Sequence, residues 1–183
     1  TDVFTLKEIV FKRENPKDII DRLDNPAVCG FSCYLWNKSY CLHVAELVKK
    51  KLTDCVIVFG GPDVSGSMTS YKFIDAFSNG EGEENFTELL RCIINNTEIP
   101  LFFNKKRLED LDIPSPYTTG VFDNIVKENP NIVWAMTLET NRGCPYKCTF
   151  CDWGSMTYSK VKKVNLEKIA YELACVKRNP ISY

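Results

Sequence analysis

The chain has 183 residues, a formal net charge of −1, 44% hydrophobic residues and 26% charged residues. This composition is typical of a globular protein with one domain, or one domain and part of a second. The balanced charge offers no basic field for nucleic acid or for an anionic membrane surface. No apolar stretch approaches the ~20 residues of a membrane-spanning helix.

Nine cysteines are many for a chain of this size, and the number is odd. Five of them lie in apolar surroundings, where they are expected as small buried side chains in a reducing compartment: Cys29, Cys33, Cys41, Cys55 and Cys92. The long strand and helix patterns around them do not fit a disulfide-rich secreted fold. We therefore predict a cytoplasmic protein.

The first hundred residues alternate between helix and strand patterns. Asn15-Pro16 predicts a helix start, with Asn15 as the cap. The apolar run 27–35 predicts a buried strand, and Ser39 is expected to cap a helix over residues 40–52. Residues 55–59 predict a second strand that leads into Gly60-Gly61. Strand, helix and strand in this order indicate parallel strands and an α/β fold.

The second half is less regular at first. A helix with an apolar face is expected shortly after Gly80, and breakers such as Pro114 make residues 101–131 an expected linker. Residues 132–138 predict a new strand, and Asn165 is expected to cap a helix over residues 166–177, with another strand due where the sequence stops. We thus predict a Rossmann-like parallel-sheet domain over residues 1–100, a linker, and the start of a second domain over residues 132–183.

The most informative motif is Gly-Cys-Pro-Tyr-Lys-Cys-Thr-Phe-Cys at positions 143–151. It places Cys144, Cys148 and Cys151 in a C-x3-C-x2-C spacing that can turn three sulfurs toward one point. Three thiolates on a four-iron cluster would leave one iron open for an outside ligand. The alternatives are a zinc site, with Cys175 as a distant fourth ligand, and free structural thiols.

This spacing after a strand, with the aromatic Phe150 before the last cysteine, resembles the signature of radical S-adenosylmethionine (SAM) enzymes. The resemblance implies that Cys144, Cys148 and Cys151 bind a [4Fe–4S] cluster, that SAM chelates the fourth iron, and that Phe150 lies near the SAM adenine. In that family the cluster cleaves SAM to a 5′-deoxyadenosyl radical, and the fold is a partial (βα) barrel. It also implies an electron donor such as flavodoxin or ferredoxin.

Upstream motifs resemble the cobalamin-binding domain that precedes many radical SAM domains. They are Gly30-Phe-Ser32, Trp36-Asn37, Gly60-Gly61-Pro62-Asp63-Val64 and Gly80-Glu-Gly82-Glu83, and Pro114-Ser-Pro-Tyr117 and Cys151-Asp-Trp-Gly-Ser155 fit the same subgroup. Ser32, Gly60, Gly61, Gly80 and Gly82 are then the candidate cobalamin contacts, since glycines let a ligand approach the backbone at strand ends. In this subgroup the reaction is often methyl transfer from methylcobalamin.

Two departures from the family pattern affect these expectations. The Asp-x-His-x-x-Gly motif that supplies a cobalt ligand in many cobalamin domains is absent, and the lone His43 is expected as a partly exposed helix residue. The chain begins at Thr1, without the usual first strand, and residues 152–183 hold no room for a complete barrel. We therefore expect a fragment that is inactive alone, acting in the parent protein on a small-molecule or peptide substrate. A non-catalytic metal- or ligand-binding module, or a zinc-binding domain, is the alternative.

Overall fold

The computed structural model describes residues 3–146, 148–151, 160–177 and 181–182 of the chain, the last two by their backbone alone. It divides into two compact units, Thr1–Arg107 and Leu108–Tyr183. No helix in the described part of the chain is both long and apolar enough to cross a membrane.

The first unit is built on a sheet of four parallel strands in the order β1-β2-β3-β4. The strands are β1 (Val28–Ser32), β2 (Val56–Gly60), β3 (Ala76–Ser78) and β4 (Phe102–Phe103). Its helices are α1 (Pro16–Arg22), α2 (Lys38–Lys51) and α3 (Gly82–Ile94), and a short 3-10 helix covers Gly66–Ser70.

Helices cover both faces of this sheet. Because successive side chains of a strand point to opposite faces, Ile57 and Phe59 of β2 pack on the side of α1 and α2, whereas Val58 packs on the side of α3 with its buried Leu89. A parallel sheet buried between helices is the α/β arrangement that the alternating sequence pattern predicts. The α/β class is confirmed, and the sheet is consistent with a Rossmann-like domain.

The helix starts show where local sequence decides the structure. The Asn15 side chain accepts a hydrogen bond from Lys17 N at 3.0 Å, which confirms the predicted cap of α1. The predicted cap of α2 is wrong: the helix begins at Lys38, so Ser39 lies in its first turn. Asn37 precedes the helix, but its side chain accepts from Tyr34 N at 2.8 Å and donates to Ser32 O at 2.9 Å. It closes the loop after β1 instead of capping the helix.

The described part of the second unit has two small strand pairs and two helices. β5 (Trp134–Ala135) pairs in parallel with β8 (Ile181–Ser182), and β6 (Asn141–Arg142) pairs antiparallel with β7 (Lys162–Lys163). The helices are α4 (Asp123–Glu128) and α5 (Leu166–Val176), the latter capped by Asn165 as predicted. The strand expected over residues 132–138 is only two residues long, and the strand expected after α5 is β8. A barrel stays a prediction.

Two lysines of the second unit hold the start of that unit in place. Lys162 donates a hydrogen bond to Leu108 O, and Lys168 donates to Leu111 O and Ile113 O. Lysine is well suited to this role, because its ammonium group offers three donors and can serve several main-chain carbonyls. The part of the expected linker from Leu108 to Ile113 is therefore tied to β7 and α5.

Candidate cofactor-binding edge and cysteine loop

The four parallel strands of the first unit end side by side at one edge of the sheet. Ser32 lies opposite Gly60, Gly60 opposite Ser78, and Ser78 opposite Phe103. Ligands of parallel α/β folds bind outside the carboxyl ends of the strands, which is this edge. The sheet thus makes neighbours of Ser32 and Gly60, two of the candidate cofactor contacts, and Ser32 is exposed.

Gly61 is explained by the packing of the backbone rather than by a ligand. Its φ of +101° is in the region that favours glycine, and a Cβ there would lie 2.6 Å from Cys33 O and 2.9 Å from Cys33 N. Around it, Cys33 N donates to Gly60 O at 2.7 Å and Asp63 N donates to Cys33 O at 3.2 Å. Gly61 lets the chain turn tightly against the end of β1.

Gly82 has no such structural explanation. A Cβ at this position would meet no atom within 4 Å, and its φ is not in the left-handed region. Gly80 is also open, but its φ of +80° accounts for the glycine. At Gly60 a Cβ would make only ordinary contact, 3.5 Å from the Cβ of Ser78. Gly80 and Gly82 are the two positions at this edge where the absence of a side chain leaves open space, whereas a side chain at Gly60 would pack against Ser78.

Asn85 of α3 belongs to the same edge, although the sequence pattern did not single it out. Its side chain is 1% exposed and donates to Asn79 O at 2.8 Å and to Glu81 O at 3.0 Å. Its Oδ1 accepts from Lys105 N at 2.8 Å. A signal was present: Asn85 lies four residues before the buried Leu89, so it is a polar residue on the apolar face of the helix.

Charged side chains near the edge are paired. Glu81 and Arg107 approach to 3.3 Å, with side chains only 11% and 14% exposed. Glu83 lies in the first turn of α3, as expected for an acidic residue that complements the helix dipole. Lys38 lies 3.0 Å from Asp63, and its hydrogen bond to this carboxylate raises the pKa of Lys38.

The loop after β1 presents aromatic surface to solvent. Tyr34 and Trp36 stack with ring centroids 4.7 Å apart and planes inclined by 17°. Trp36 is 74% exposed, although tryptophan side chains are highly buried on average. His43 is exposed on α2, as expected.

The three cysteines of the C-x3-C-x2-C motif lie in a loop whose base is the β6–β7 ladder, in which Arg142 is paired with Lys162. The loop begins at Gly143 with a φ of +99°. Cys144 is half-buried and Cys148 and Cys151 are exposed, and all three are free thiols. Residue 147 and residues 152–159 of this loop lie outside the described part of the chain.

The base of the cysteine loop carries a bidentate ion pair. Arg142 Nε lies 2.8 Å from Glu139 Oε1, and its Nη2 lies 2.9 Å from Oε2. The Arg142 side chain is 14% exposed, whereas that of Glu139 is 47% exposed, so the pair is open to water on the side of Glu139. Parallel hydrogen bonds of this kind fix geometry as well as charge, and they hold the strand that leads into Gly143.

The donor set of this loop fits an iron–sulfur centre, which prefers cysteine thiolates, because three free thiols lie within eight residues. Within the described ranges, no group of three or more His, Cys, Asp or Glu side chains is gathered closely enough to hold a metal. The ligand roles of Cys144, Cys148 and Cys151 therefore stay a prediction. Phe150, the candidate neighbour of the SAM adenine, is 91% exposed.

The remaining cysteines behave mainly as core residues. Cys33, Cys41 and Cys55 are buried, as predicted, whereas Cys29 and Cys92 are only half-buried, so the prediction of burial is wrong for these two. Burial is the main cause that raises the pKa of the Cys33 and Cys41 thiols. Cys29 in β1 and Cys55, just before β2, perturb each other's thiol: hydrogen bonding between the two side chains raises the pKa of Cys29 and lowers that of Cys55.

Comparison with known proteins identifies relatives for nearly the whole chain, although no protein-family model matches it. The chain is 34% identical over 97% of its length to the cobalamin-dependent radical SAM methyltransferase TokK of Streptomyces tokunonensis. It is 31% identical over 93% of its length to the 2-(S-pantetheinyl)-carbapenam-3-carboxylate methyltransferase of Streptantibioticus cattleyicolor. An uncharacterized methyltransferase of Pyrococcus horikoshii is 26% identical over 72% of the chain.

The chain spans only 28–32% of the length of these relatives. The similarity covers both units, since an alignment with 97% of the chain includes the parallel sheet and the cysteine loop. The matches therefore relate this chain, over nearly its whole length, to part of the cobalamin-dependent radical SAM methyltransferases.

Proposed function

We propose that this chain is part of a cobalamin-dependent radical SAM methyltransferase and supplies two cofactor sites. Cys144, Cys148 and Cys151 would hold a [4Fe–4S] cluster that binds SAM, and the carboxyl edge of the sheet would hold cobalamin. The observation that carries the proposal is the loop of three free thiols on the β6–β7 ladder, in a chain that is 34% identical to an enzyme of this class.

In the cysteine loop, the chain's own residues would bind and orient. Three thiolates leave one iron of a four-iron cluster without a protein ligand, which gives SAM a position to occupy. When bound, cluster and SAM supply the one-electron chemistry that generates the 5′-deoxyadenosyl radical, and methylcobalamin supplies the methyl group. The exposed Phe150, next to Cys151, is available to pack on the adenine.

At the sheet edge, different residues would have different roles. Ser32, Gly60, Gly80 and Gly82 line the ends of β1, β2 and β3, and the missing side chains at Gly80 and Gly82 leave space for a large ligand. Gly61 would act indirectly, by forming the turn that brings Gly60 beside Cys33. Since no histidine stands at this edge among the described residues, the chain would bind cobalamin without a histidine ligand to cobalt.

The activity of the whole protein is part of the same proposal. Methyl transfer would act on a small-molecule or peptide substrate, with electrons from a donor such as flavodoxin or ferredoxin, in the cytoplasm, where thiols stay reduced. The net charge of −1 supports neither a nucleic-acid nor a membrane partner.

The cluster is tested by anaerobic reconstitution of the chain with iron and sulfide, followed by visible absorption and metal analysis. We expect broad visible absorbance and iron with matching sulfide, both lost in Cys148→Ala. Cys92→Ala is the matched control, because Cys92 lies on α3 outside the loop, and it should keep the cluster. Stoichiometric zinc without iron would overturn the proposal in favour of a zinc-binding domain.

Cobalamin is tested separately by titrating the chain with hydroxocobalamin and following its visible spectrum. We expect a spectral shift and retention of the cofactor on gel filtration. Neither shift nor retention would remove the cobalamin site while leaving the cluster proposal standing. A chain that binds both cofactors within a parent protein lacking methyl transfer would point to the alternative, a non-catalytic binding module.

A further inference from the structure

We propose that Asn85 is a positioning residue that holds the 80–82 loop in the conformation in which it receives cobalamin. The identity of the ligand rests on the proposed function, whereas the hydrogen bonds of Asn85 are seen in the structure itself. Asn85 itself is buried beneath the loop and would act through the backbone around Gly80 and Gly82 rather than touch the cofactor.

The hydrogen bonds of Asn85 join three segments of the edge. Its Nδ2 donates to Asn79 O at 2.8 Å, just after β3, and to Glu81 O at 3.0 Å, just before α3. Its Oδ1 accepts from Lys105 N at 2.8 Å, after β4. These bonds bracket Gly80 on both sides and connect its loop to the neighbouring strand.

Asn79 extends this connection. Its main-chain N donates to Phe103 O at 3.0 Å, and its side chain donates to Asn104 Oδ1 at 2.8 Å. The segments that follow β3 and β4 are thus joined by the hydrogen bonds of Asn79 and by those of the buried Asn85. The 80–82 loop, with its open glycines, is therefore held in one conformation by hydrogen bonds to α3 and to the end of β4.

The chemistry of the position selects asparagine. The side chain must donate twice and accept once within a buried site, and the amide does so with its NH2 group and its carbonyl. Aspartate has nearly the same shape and keeps the acceptor for Lys105 N, but when ionised it cannot donate to the two carbonyls. A buried polar residue on an apolar helix face is costly unless it is hydrogen-bonded, so the three bonds also account for its presence there.

The test compares Asn85→Asp and Asn85→Ala with Leu89→Ala as a control. Leu89 lies one turn further along α3, is fully buried, and does not contact the loop by hydrogen bonds, so its truncation destabilises the fold without removing the tie. Two quantities are measured on the chain at a temperature where all variants are folded. They are amide hydrogen exchange of residues 79–84 without ligand, and the affinity for hydroxocobalamin from spectral titration.

We expect faster exchange of residues 79–84 in both Asn85 variants, with exchange of β2 unchanged. We expect hydroxocobalamin binding to weaken by about tenfold or more, since Asn85→Asp loses the two hydrogen bonds that Asn85 donates and Asn85→Ala loses all three. Leu89→Ala should bind within about twofold of the unaltered chain, the scatter of uncoupled sites. A binding loss shared equally by all three variants, or unchanged exchange in the Asn85 variants, would overturn the inference.

The outcome for the unaltered chain separates this inference from the proposed function. If the unaltered chain binds hydroxocobalamin and the Asn85 variants bind equally well, the positioning role is wrong and the cobalamin site stands. If the unaltered chain does not bind, the cobalamin site is wrong, and the proposed role of Asn85 toward that ligand falls with it.

Discussion

Tyr117 satisfies both main-chain groups of Thr137 with a single hydroxyl. Its Oη donates to Thr137 O at 2.9 Å and accepts from Thr137 N at 3.1 Å. The preceding Ser115 is buried, and its Oγ accepts from Tyr117 N at 3.3 Å. The Pro-Ser-Pro-Tyr motif of the sequence therefore has a structural role: it docks the irregular segment before α4 onto the chain just after β5.

Tyr117→Phe should destabilise the second unit. The change keeps the ring and its edge contact with Phe122, but it leaves Thr137 without two hydrogen bonds, so we expect a loss of about 1–3 kcal/mol in the free energy of unfolding. Urea denaturation followed by tyrosine and tryptophan fluorescence measures it. The control is Tyr171→Phe on α5, where the side chain is 64% exposed and no change is expected. Equal stability of the two variants would contradict the docking role.

Alanine at Gly61 and at Gly82 should have opposite consequences. At Gly61 the new Cβ would collide with the Cys33 backbone and strain a positive φ, so we expect the free energy of unfolding to fall by about 3 kcal/mol or more. At Gly82 the Cβ meets open space, so stability should change by no more than about 1 kcal/mol. Hydroxocobalamin binding should nevertheless weaken in Gly82→Ala. Thermal denaturation and the spectral titration give both quantities. Unaltered binding in Gly82→Ala would remove this glycine from the proposed site.

The sequence predicted those parts of the fold that local signals determine. Asn15 and Asn165 cap their helices as expected, and β1 and β2 occupy the apolar runs. β3 and β4 were missed because they are three and two residues long, too short for a period, and they exist through pairing with β2 and with each other. Their formation is a property of the sheet rather than of the local sequence.

The candidate site was predictable to a similar extent. Ser32 and Gly60 were placed correctly at neighbouring strand ends, because the end of a parallel strand can be read from the apolar run before it. The hydrogen-bonding roles of Asn37 and Asn85 were not recognised, since partners such as Tyr34 N and Lys105 N lie in loops whose course the sequence does not give. A polar residue on an apolar helix face was the available signal for Asn85. The sequence alone could not show that the tight turn requires a glycine at position 61, whereas the packing does not require one at position 82.

Two ion pairs made by neighbouring lysines of α2 should contribute differently to the free energy of unfolding. Lys49 Nζ lies 2.9 Å from Asp75 Oδ2, and that carboxylate also accepts a hydrogen bond from Ile57 N at 2.7 Å. Asp75 therefore forms an ion pair with Lys49 and also binds the main chain of β2. We expect Asp75→Ala to lower the free energy of unfolding by about 2–3 kcal/mol, because it removes a partly buried charged group that makes several hydrogen bonds. Lys50 pairs with Glu46 on the surface, and Glu46→Gln should leave stability unchanged. Chemical denaturation of both variants measures the difference. A small effect of Asp75→Ala would mean that another group serves Ile57 N.

Thiol alkylation should distinguish the cysteine loop from the core. Iodoacetamide reacts with the thiolate, and burial raises the pKa of Cys33 and Cys41, so these thiols carry less thiolate at neutral pH as well as less access to the reagent. We expect Cys148 and Cys151, both exposed, to be alkylated first in the cluster-free chain, and Cys33 and Cys41 only at strongly alkaline pH or after unfolding. Peptide mass spectrometry after timed quenching measures each site.

The same labelling, repeated after anaerobic reconstitution, tests the ligand assignment directly. Cluster ligation should protect Cys144, Cys148 and Cys151 together, because thiolates bound to iron are not free to attack the reagent. The half-buried Cys92 and Cys175 should react at the same rate before and after reconstitution. Protection of Cys175 together with the three loop cysteines would indicate four sulfur ligands, which matches a closed structural site and leaves no position for SAM.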